Sequence, residues 1–191
     1  MINIPEHSAL ILVDVQGDES DDPRYSMGDD RKRIYHENVI KVTQFFRKLG
    51  TVPIIHIIEL HRKDGVDFGR ELDGSENPHC LEGTVQGSFY PPCAPIEGEY
   101  VVPKRRYSAF FATDLELLLR GLKAEHLFIC GGMTNICVHY TAVDAHQYNY
   151  HVHVFKEACG TPSPVDVAQA ALENIEYFQK GSIISVADLS S

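Results

Sequence analysis

The stretch that decides the fold class runs from His126 to Gln147. It opens with His126-Leu-Phe-Ile-Cys130, turns at Gly131-Gly132, and continues Met133-Thr-Asn-Ile-Cys-Val-His-Tyr-Thr-Ala-Val-Asp-Ala-His-Gln147. An apolar run this short reads as a buried strand. The glycine pair ends it, and Thr134 or Asn135 can cap a helix reaching about Gln147. Strand, glycine turn and helix in succession form the repeating half of a parallel α/β sheet.

The same alternation extends outward on both sides. Upstream, Ser8 to Val15 (SALILVDV) reads as a strand buried on both faces. Residues 31 to 49 place Ile34, Val39, Val42, Phe45, Phe46 and Leu49 near helical spacing, with Gly50 as the C-terminal stop. Val52 to Ile58 is a second strand and Tyr100 to Val102 a short third one. Thr113-Asp-Leu-Glu116 reads as a capping box opening a helix through Leu122. Downstream, Val152 to Phe155 is a strand, Ser163-Pro164 starts a helix running to Lys180, and Ser182 to Val186 is the last strand. Residues 60 to 98 carry no period and read as a long ordered functional loop. The expected fold is a single domain over residues 1–191. It is a three-layer α/β sandwich, Rossmann-like, with a mostly parallel six-stranded sheet and helices on both faces.

Composition narrows the function classes. The 191 residues carry 17 Lys plus Arg against 27 Asp plus Glu, a net charge of −10. Such a chain is repelled by phosphate backbones and anionic lipid, so no nucleic acid and no membrane are expected as partners. The N-terminus lacks a signal-peptide pattern. Cys80, Cys93, Cys130, Cys137 and Cys159 are odd in number and show no CxxC spacing, which suits a reducing cytoplasm better than a disulfide framework.

Ligands of open parallel sheets bind beyond the carboxyl ends of the strands. Asp14 closes the first strand, Lys104 follows the third by two residues, and Cys137 opens the helix after Gly131-Gly132. A thiolate is the nucleophile of such a set, and a helix N-terminus and a nearby ammonium are expected to lower its pKa. Asp14 can take the thiol proton and return it to a leaving nitrogen. Backbone N–H groups around Met133 to Cys137 are candidate oxyanion donors. Taken singly, each residue also has an ordinary reading: a strand-end acid, a surface lysine, a small buried cysteine.

These segments resemble the isochorismatase-like cysteine hydrolases, which include nicotinamidases and N-carbamoyl amide hydrolases. The resemblance rests on Leu10-Ile-Leu-Val-Asp-Val-Gln16, Val102-Pro-Lys-Arg-Arg-Tyr-Ser-Ala-Phe110 and Gly131-Gly-Met-Thr-Asn-Ile-Cys-Val138, continued by Thr141-Ala-Val-Asp-Ala145. It spans nearly the whole chain. It implies a triad of Asp14, Lys104 and Cys137, and a cis peptide between Gly132 and Met133 that aims the oxyanion donors. The activity it implies is cleavage of a C–N bond in a small amide, imide or ureide through a thioester. A dimer or tetramer is also implied. Gln16, Tyr107, Phe110 and Thr134 are the candidate substrate contacts, and Arg105 and Arg106 are candidates for a substrate carboxylate. Nicotinamidases hold a metal on Asp-x-His plus a later His. Here Glu59-Leu-His61 and His79 stand in those places, with Asp67 as a substitute ligand. No cofactor is required by the triad, and a zinc, iron or manganese ion is the alternative that these four residues suggest. Rival readings are a metal-dependent nicotinamidase, a redox-sensing thiol at Cys137, and a catalytically silent binding subunit.

Overall fold

The computed structural model describes residues 2–17, 27–74 and 76–189. Six strands form one sheet: β1 (Ser8–Val13), β2 (Ile54–Glu59), β3 (Tyr100–Lys104), β4 (His126–Gly132), β5 (His151–Gly160) and β6 (Ile183–Ile184). Their order is β3-β2-β1-β4-β5-β6, and every adjacent pair is parallel, so the sheet is wholly rather than mostly parallel. Among the described residues the α-helices are α1 (Asp29–Leu49), α2 (Leu115–Gly121), α3 (His139–Gln147) and α4 (Val165–Phe178).

β1 is buried along its whole length because its side chains alternate between two cores. Leu10 and Leu12 pack with Val39, Val42 and Phe46 of α1 on one face. Ala9, Ile11 and Val13 share the other with Leu115 and Leu119 of α2, Ala142 of α3 and Ile175 of α4. A strand apolar at every position is what covering both faces of a parallel sheet requires. The buried stripe of α1 is Tyr35, Val39, Val42, Thr43 and Phe46. Ile34 and Leu49, expected on that stripe, are 47% and 40% exposed. The spacing 35-39-42-46 turns with the helix and position 34 lies off that stripe, whereas Leu49 keeps the spacing but is the last residue of α1. Gly50 closes α1 in the left-handed conformation, its N–H donating to the Phe46 carbonyl.

Several local expectations are corrected. Thr113 and Glu116 form no capping box. The Thr113 hydroxyl bonds the Ala109 carbonyl and the Leu115 N–H instead, while Glu116 accepts from Tyr150. Neither Thr134 nor Asn135 caps a helix through its side chain. Residues Thr134–Val138 form a π-helical turn ahead of α3, and Asn135 accepts from the Thr161 hydroxyl. Lys104 is the last residue of β3, not two residues beyond it; Pro103 is tolerated inside because β3 is an edge strand. β6 shrinks to two residues because Ser185 and Asp188 form a capping box that starts a 3-10 turn. The 60–98 region is indeed irregular. It is held by short 3-10 turns at Arg70–Asp73 and Pro91–Cys93 and by single bridges, Gln16 to Phe89 and His61 to Leu81.

Candidate active site

In this order successive strands are laid outward to one side from β1 and then to the other from β4, and that change of winding direction opens a crevice beyond the carboxyl ends of β1 and β4. Gly131 lets the two strand ends approach: its φ is +129°, and a Cβ there would lie 1.9 Å from the Val13 carbonyl oxygen. Asp14, next after β1, sits at φ +48°, a left-handed conformation that costs energy for a residue with a side chain. The Gly132–Met133 peptide bond is cis, and the π-helical turn that follows carries Cys137 into the same crevice.

The three residues foreseen at strand ends meet here. Lys104 is fully buried; its Nζ lies 2.9 Å from Asp14 Oδ2 and donates to Cys137 Sγ at 3.5 Å. A fourth residue joins them. Lys104 Nζ also donates to Glu59 Oε2 at 3.0 Å. One oxygen each of Asp14 and Glu59 and the Cys137 sulfur lie within 4.8 Å of one another.

Charge states follow from burial and partners. Burial pushes the Asp14 carboxyl up to about 6 with help from Glu59, even though Lys104 pulls it down. Burial alone would raise Glu59 too, but Lys104, His61 and His79 outweigh it and hold that carboxyl well below the usual range. Burial would strip the proton from Lys104, yet Asp14, Cys137 and Glu59 keep it firmly protonated. Burial drives the Cys137 thiol well above its ordinary value, and the two carboxylates add to this against one ammonium. The expectation of a lowered thiol pKa is therefore overturned. The resting site holds a thiol beside a carboxylate that is ionised at neutral pH.

Behind this set, Glu59 Oε1 faces two imidazoles, 3.0 Å from His79 Nε2 and 3.4 Å from His61 Nε2. His79 Nδ1 donates to the Asn77 carbonyl at 2.6 Å, and His61 Nδ1 lies 3.4 Å from Asp67 Oδ1. Both rings thus turn Nε2 toward Glu59, and His79 rests its other nitrogen on a carbonyl as metal-binding histidines do, whereas the buried His61 Nδ1 makes no hydrogen bond with any described residue. Glu59, His61 and His79 fit a divalent cation. Asp67 does not join them; it stands behind His61 and pairs with Arg62 and Arg105. Without an ion, the partnership with Glu59 outweighs burial and raises His79 to about 9.

A cavity of about 220 Å³ opens onto Cys137. Asp14, Glu59, His79, Tyr107, Gly132 and Met133 line it, as do Gln16 and residues missed in the sequence: Met27, Tyr35, His36, Glu76, Cys80, Ile136, Thr161 and Pro162. Position after a strand end could have flagged Thr161, which follows β5. Nothing local singles out Glu76. Gln16 faces the cavity, but its amide is already committed. It donates to the Glu59 and Gln86 carbonyls and accepts from the Glu59 N–H, so it clamps the end of β2. Phe110 is corrected to core: it stacks on Tyr148 and Tyr150 and does not line the cavity. Thr134 is buried away from the cavity as well. Arg105 and Arg106 turn to Asp67 and Glu71 rather than inward.

A buried thiol, carboxylate and ammonium thus meet at the switch point of the parallel sheet of an α/β protein. The chain belongs to the isochorismatase family, whose Isochorismatase domain model matches residues 8–188. Over 118 residues it is 43% identical to the ureidoacrylate amidohydrolase RutB of Klebsiella pneumoniae, a match covering 62% of this chain and 50% of that protein. The match therefore spans about half the length of that curated relative. Among solved structures, the nicotinamidase/pyrazinamidase PncA from Bacillus subtilis has a TM-score of 0.80 at 26% identity, covering 93% of this chain and 98% of that one. The pyrazinamidase of Pyrococcus horikoshii in complex with zinc gives a TM-score of 0.77 at 26% identity over 94% and 99%. No helix among the described residues is long and apolar enough to cross a membrane.

Proposed function

We propose that this chain is a cysteine-dependent hydrolase of a small amide, imide or ureide, acting as one domain. The observation that carries the reading is the meeting of Asp14, Lys104 and Cys137 from three separate strand ends: Asp14 and Cys137 line one cavity, and the buried Lys104 stands behind them with its Nζ 2.9 Å from the carboxylate and 3.5 Å from the sulfur. Names of relatives and neighbours point the same way: an amidohydrolase and a nicotinamidase/pyrazinamidase.

The chemistry closes with these groups. Asp14 takes the Cys137 proton as sulfur attacks the carbonyl carbon, so the thiolate exists only when it is used. Lys104 stabilises both the carboxylate and the developing thiolate. The negative oxygen of the tetrahedral adduct meets backbone N–H groups of the Met133–Cys137 turn. Asp14 then gives its proton to the leaving nitrogen, the C–N bond breaks, and ammonia or an amine departs. Water attacks the thioester carbonyl, Asp14 accepts its proton, and return of that proton to sulfur releases the acid.

A second reading, a metal-dependent nicotinamidase, is favoured by the Glu59, His61 and His79 group. A bound ion would supply Lewis acidity toward a carbonyl or water there. In this chain Glu59 also holds Lys104, so the same carboxylate would serve both sites. Ammonia release from nicotinamide, N-carbamoyl compounds and ureides, with metal content measured on the same sample, separates the readings. Release that disappears in Cys137→Ala supports the amidase. Release from nicotinamide that also tracks bound metal supports the second reading. Peroxide reactivity of Cys137 without turnover would favour a redox sensor, and neither would favour a silent binding subunit. The buried, protonated thiol speaks against the sensor, because thiolate character and exposure govern oxidation. We read its setting as cytoplasmic and its assembly as a dimer or tetramer; light scattering on the purified chain measures the latter.

A further inference from the structure

We propose that Glu76 selects the far end of the substrate, and that the cavity takes an amide whose non-reacting end carries a cationic nitrogen group rather than a carboxylate. The inference rests on the amidase reading of the same cavity.

Among the described residues, three carboxylates line the cavity: Asp14, Glu59 and Glu76. Asp14 and Glu59 share the Lys104 ammonium. Glu76 has no such partner. Its Oε2 is fully buried and makes no hydrogen bond with any described residue. The nearest imidazole nitrogen, His79 Nε2, is 4.0 Å away, beyond hydrogen-bond range, and is bonded to Glu59 Oε1 at 3.0 Å. Tyr107, which also lines the cavity, is a hydrogen-bonding neighbour of the Glu76 carboxylate and still leaves Oε2 without a bond. Buried acceptors in native proteins are satisfied, and an exception calls for a ligand or a functional reason. A donor arriving with the substrate satisfies this one.

Charge excludes the opposite ligand. No Lys or Arg is among the described residues lining the cavity. Arg105 and Arg106, the nearest sequence candidates for a carboxylate clamp, are turned to Asp67 and Glu71. The cationic imidazole of His79 in the lining is already bonded to Glu59, so a substrate carboxylate would face Glu76 with no Lys or Arg among the described lining residues to compensate, and rejection of an unwanted ligand by a like charge is a common source of specificity. The lining also includes the apolar or aromatic side chains of Met27, Tyr35, Met133 and Ile136. That suits a short aliphatic or aromatic stem between the reacting carbonyl and the cation.

The test uses the full chain carrying Cys137→Ala, which binds without turnover, and three amides of matched length: pentanamide, its ω-amino derivative and its ω-carboxylate analogue. Calorimetry should rank them ammonium, neutral, carboxylate, with at least about a tenfold step between the first two, the worth of one charge-assisted hydrogen bond. Adding Glu76→Gln should remove that step and leave pentanamide within about twofold, because the amide replaces the carboxylate at nearly equal size. Circular dichroism of the variant confirms that it is folded. Equal or tighter binding of the carboxylate, a preference that survives Glu76→Gln, or no binding by any of the three overturns the assignment. Ammonia release by the parent protein from the same amides separates the two layers. Cysteine-dependent release without preference for the ammonium amide sinks the role of Glu76 and keeps the amidase. Tight, Glu76-dependent binding of the ammonium amide without release from any amide keeps Glu76 and sinks the amidase.

Discussion

The two edges of the sheet handle buried ionisable groups in opposite ways. Beyond the carboxyl ends of the strands, Asp14, Glu59 and Lys104 stay charged in the interior because each faces an opposite charge within 3.0 Å. At the amino ends, β4 and β5 bring together His126, His151 and His153. His126 Nδ1 lies 3.2 Å from His153 Nε2, and the rings of His126 and His151 stack with centroids 4.6 Å apart. Here the neighbours carry the same potential charge. Burial, then His126 and His151, lower His153 to about 4, and burial lowers His126 as well although Glu125 opposes it. Desolvation disfavours charge at both edges, and the partners decide whether charge survives. One edge keeps its charges, and at the other His153 and His126 are driven toward the neutral form.

The sharpest way to break this contrast is at Cys137. Cys137→Ala should lower amide turnover by about 10⁴-fold or more while the melting temperature stays close to the parent's, since the small side chain fits the same turn. Turnover that persists in ammonia assays would remove the nucleophile from the carboxyl-end site. Next comes Lys104→Met, which leaves two carboxylates buried without their ammonium. Breaking a buried pair from one side costs about 3–5 kcal/mol, to be read from urea unfolding. A loss under about 1 kcal/mol would mean that water already screens this edge.

The pH dependence of kcat/KM comes third. Asp14 must be ionised to act as base, so activity should fall about tenfold per unit below pH 6, where its carboxyl gains a proton. A profile flat down to pH 4.5, about the ordinary value for an exposed carboxyl, would sink the raised Asp14. The smallest effect belongs to the amino-end edge. The folded His153 value lies below its ordinary 6.5, so its contribution to stability is present above 6.5 and is lost as pH falls through about 4. His153→Phe should therefore lessen acid sensitivity in that window by about 1–2 kcal/mol, after allowing for screening at a partly exposed site. Parallel stability curves for parent and variant from pH 7 to about 4 would refute it.

Much of the fold was legible in the chain itself. Ala9–Val13 is apolar at every position and Val39, Val42 and Phe46 repeat with the helix, whereas Gly131-Gly132, read as the turn after Cys130, are the last two residues of β4 and pair with β5. These are local signals read over one element. Asp14 and Cys137 were legible for a related reason, since each follows the end of a recognisable strand. Lys104 was found at the right edge but in the wrong element, because a proline inside a strand reads as its end unless the strand is known to lie at the sheet margin. Ile34 and Leu49 were misplaced because spacing defines a stripe but not how wide the neighbouring sheet is.

Sequence by itself determined the alternation of strands and helices, and with it the edge at which chemistry-bearing side chains gather. Both follow from backbone periodicity, which a short window contains. Only the tertiary structure decided what those side chains are. Glu59 joins Lys104 from 45 residues away, Gln16 is committed to holding β2, Phe110 packs into the core while Tyr107 borders the cavity, and the Cys137 thiol keeps its proton. Charge state and direction depend on distances of a few ångströms between segments remote in the chain, and no local pattern carries those distances.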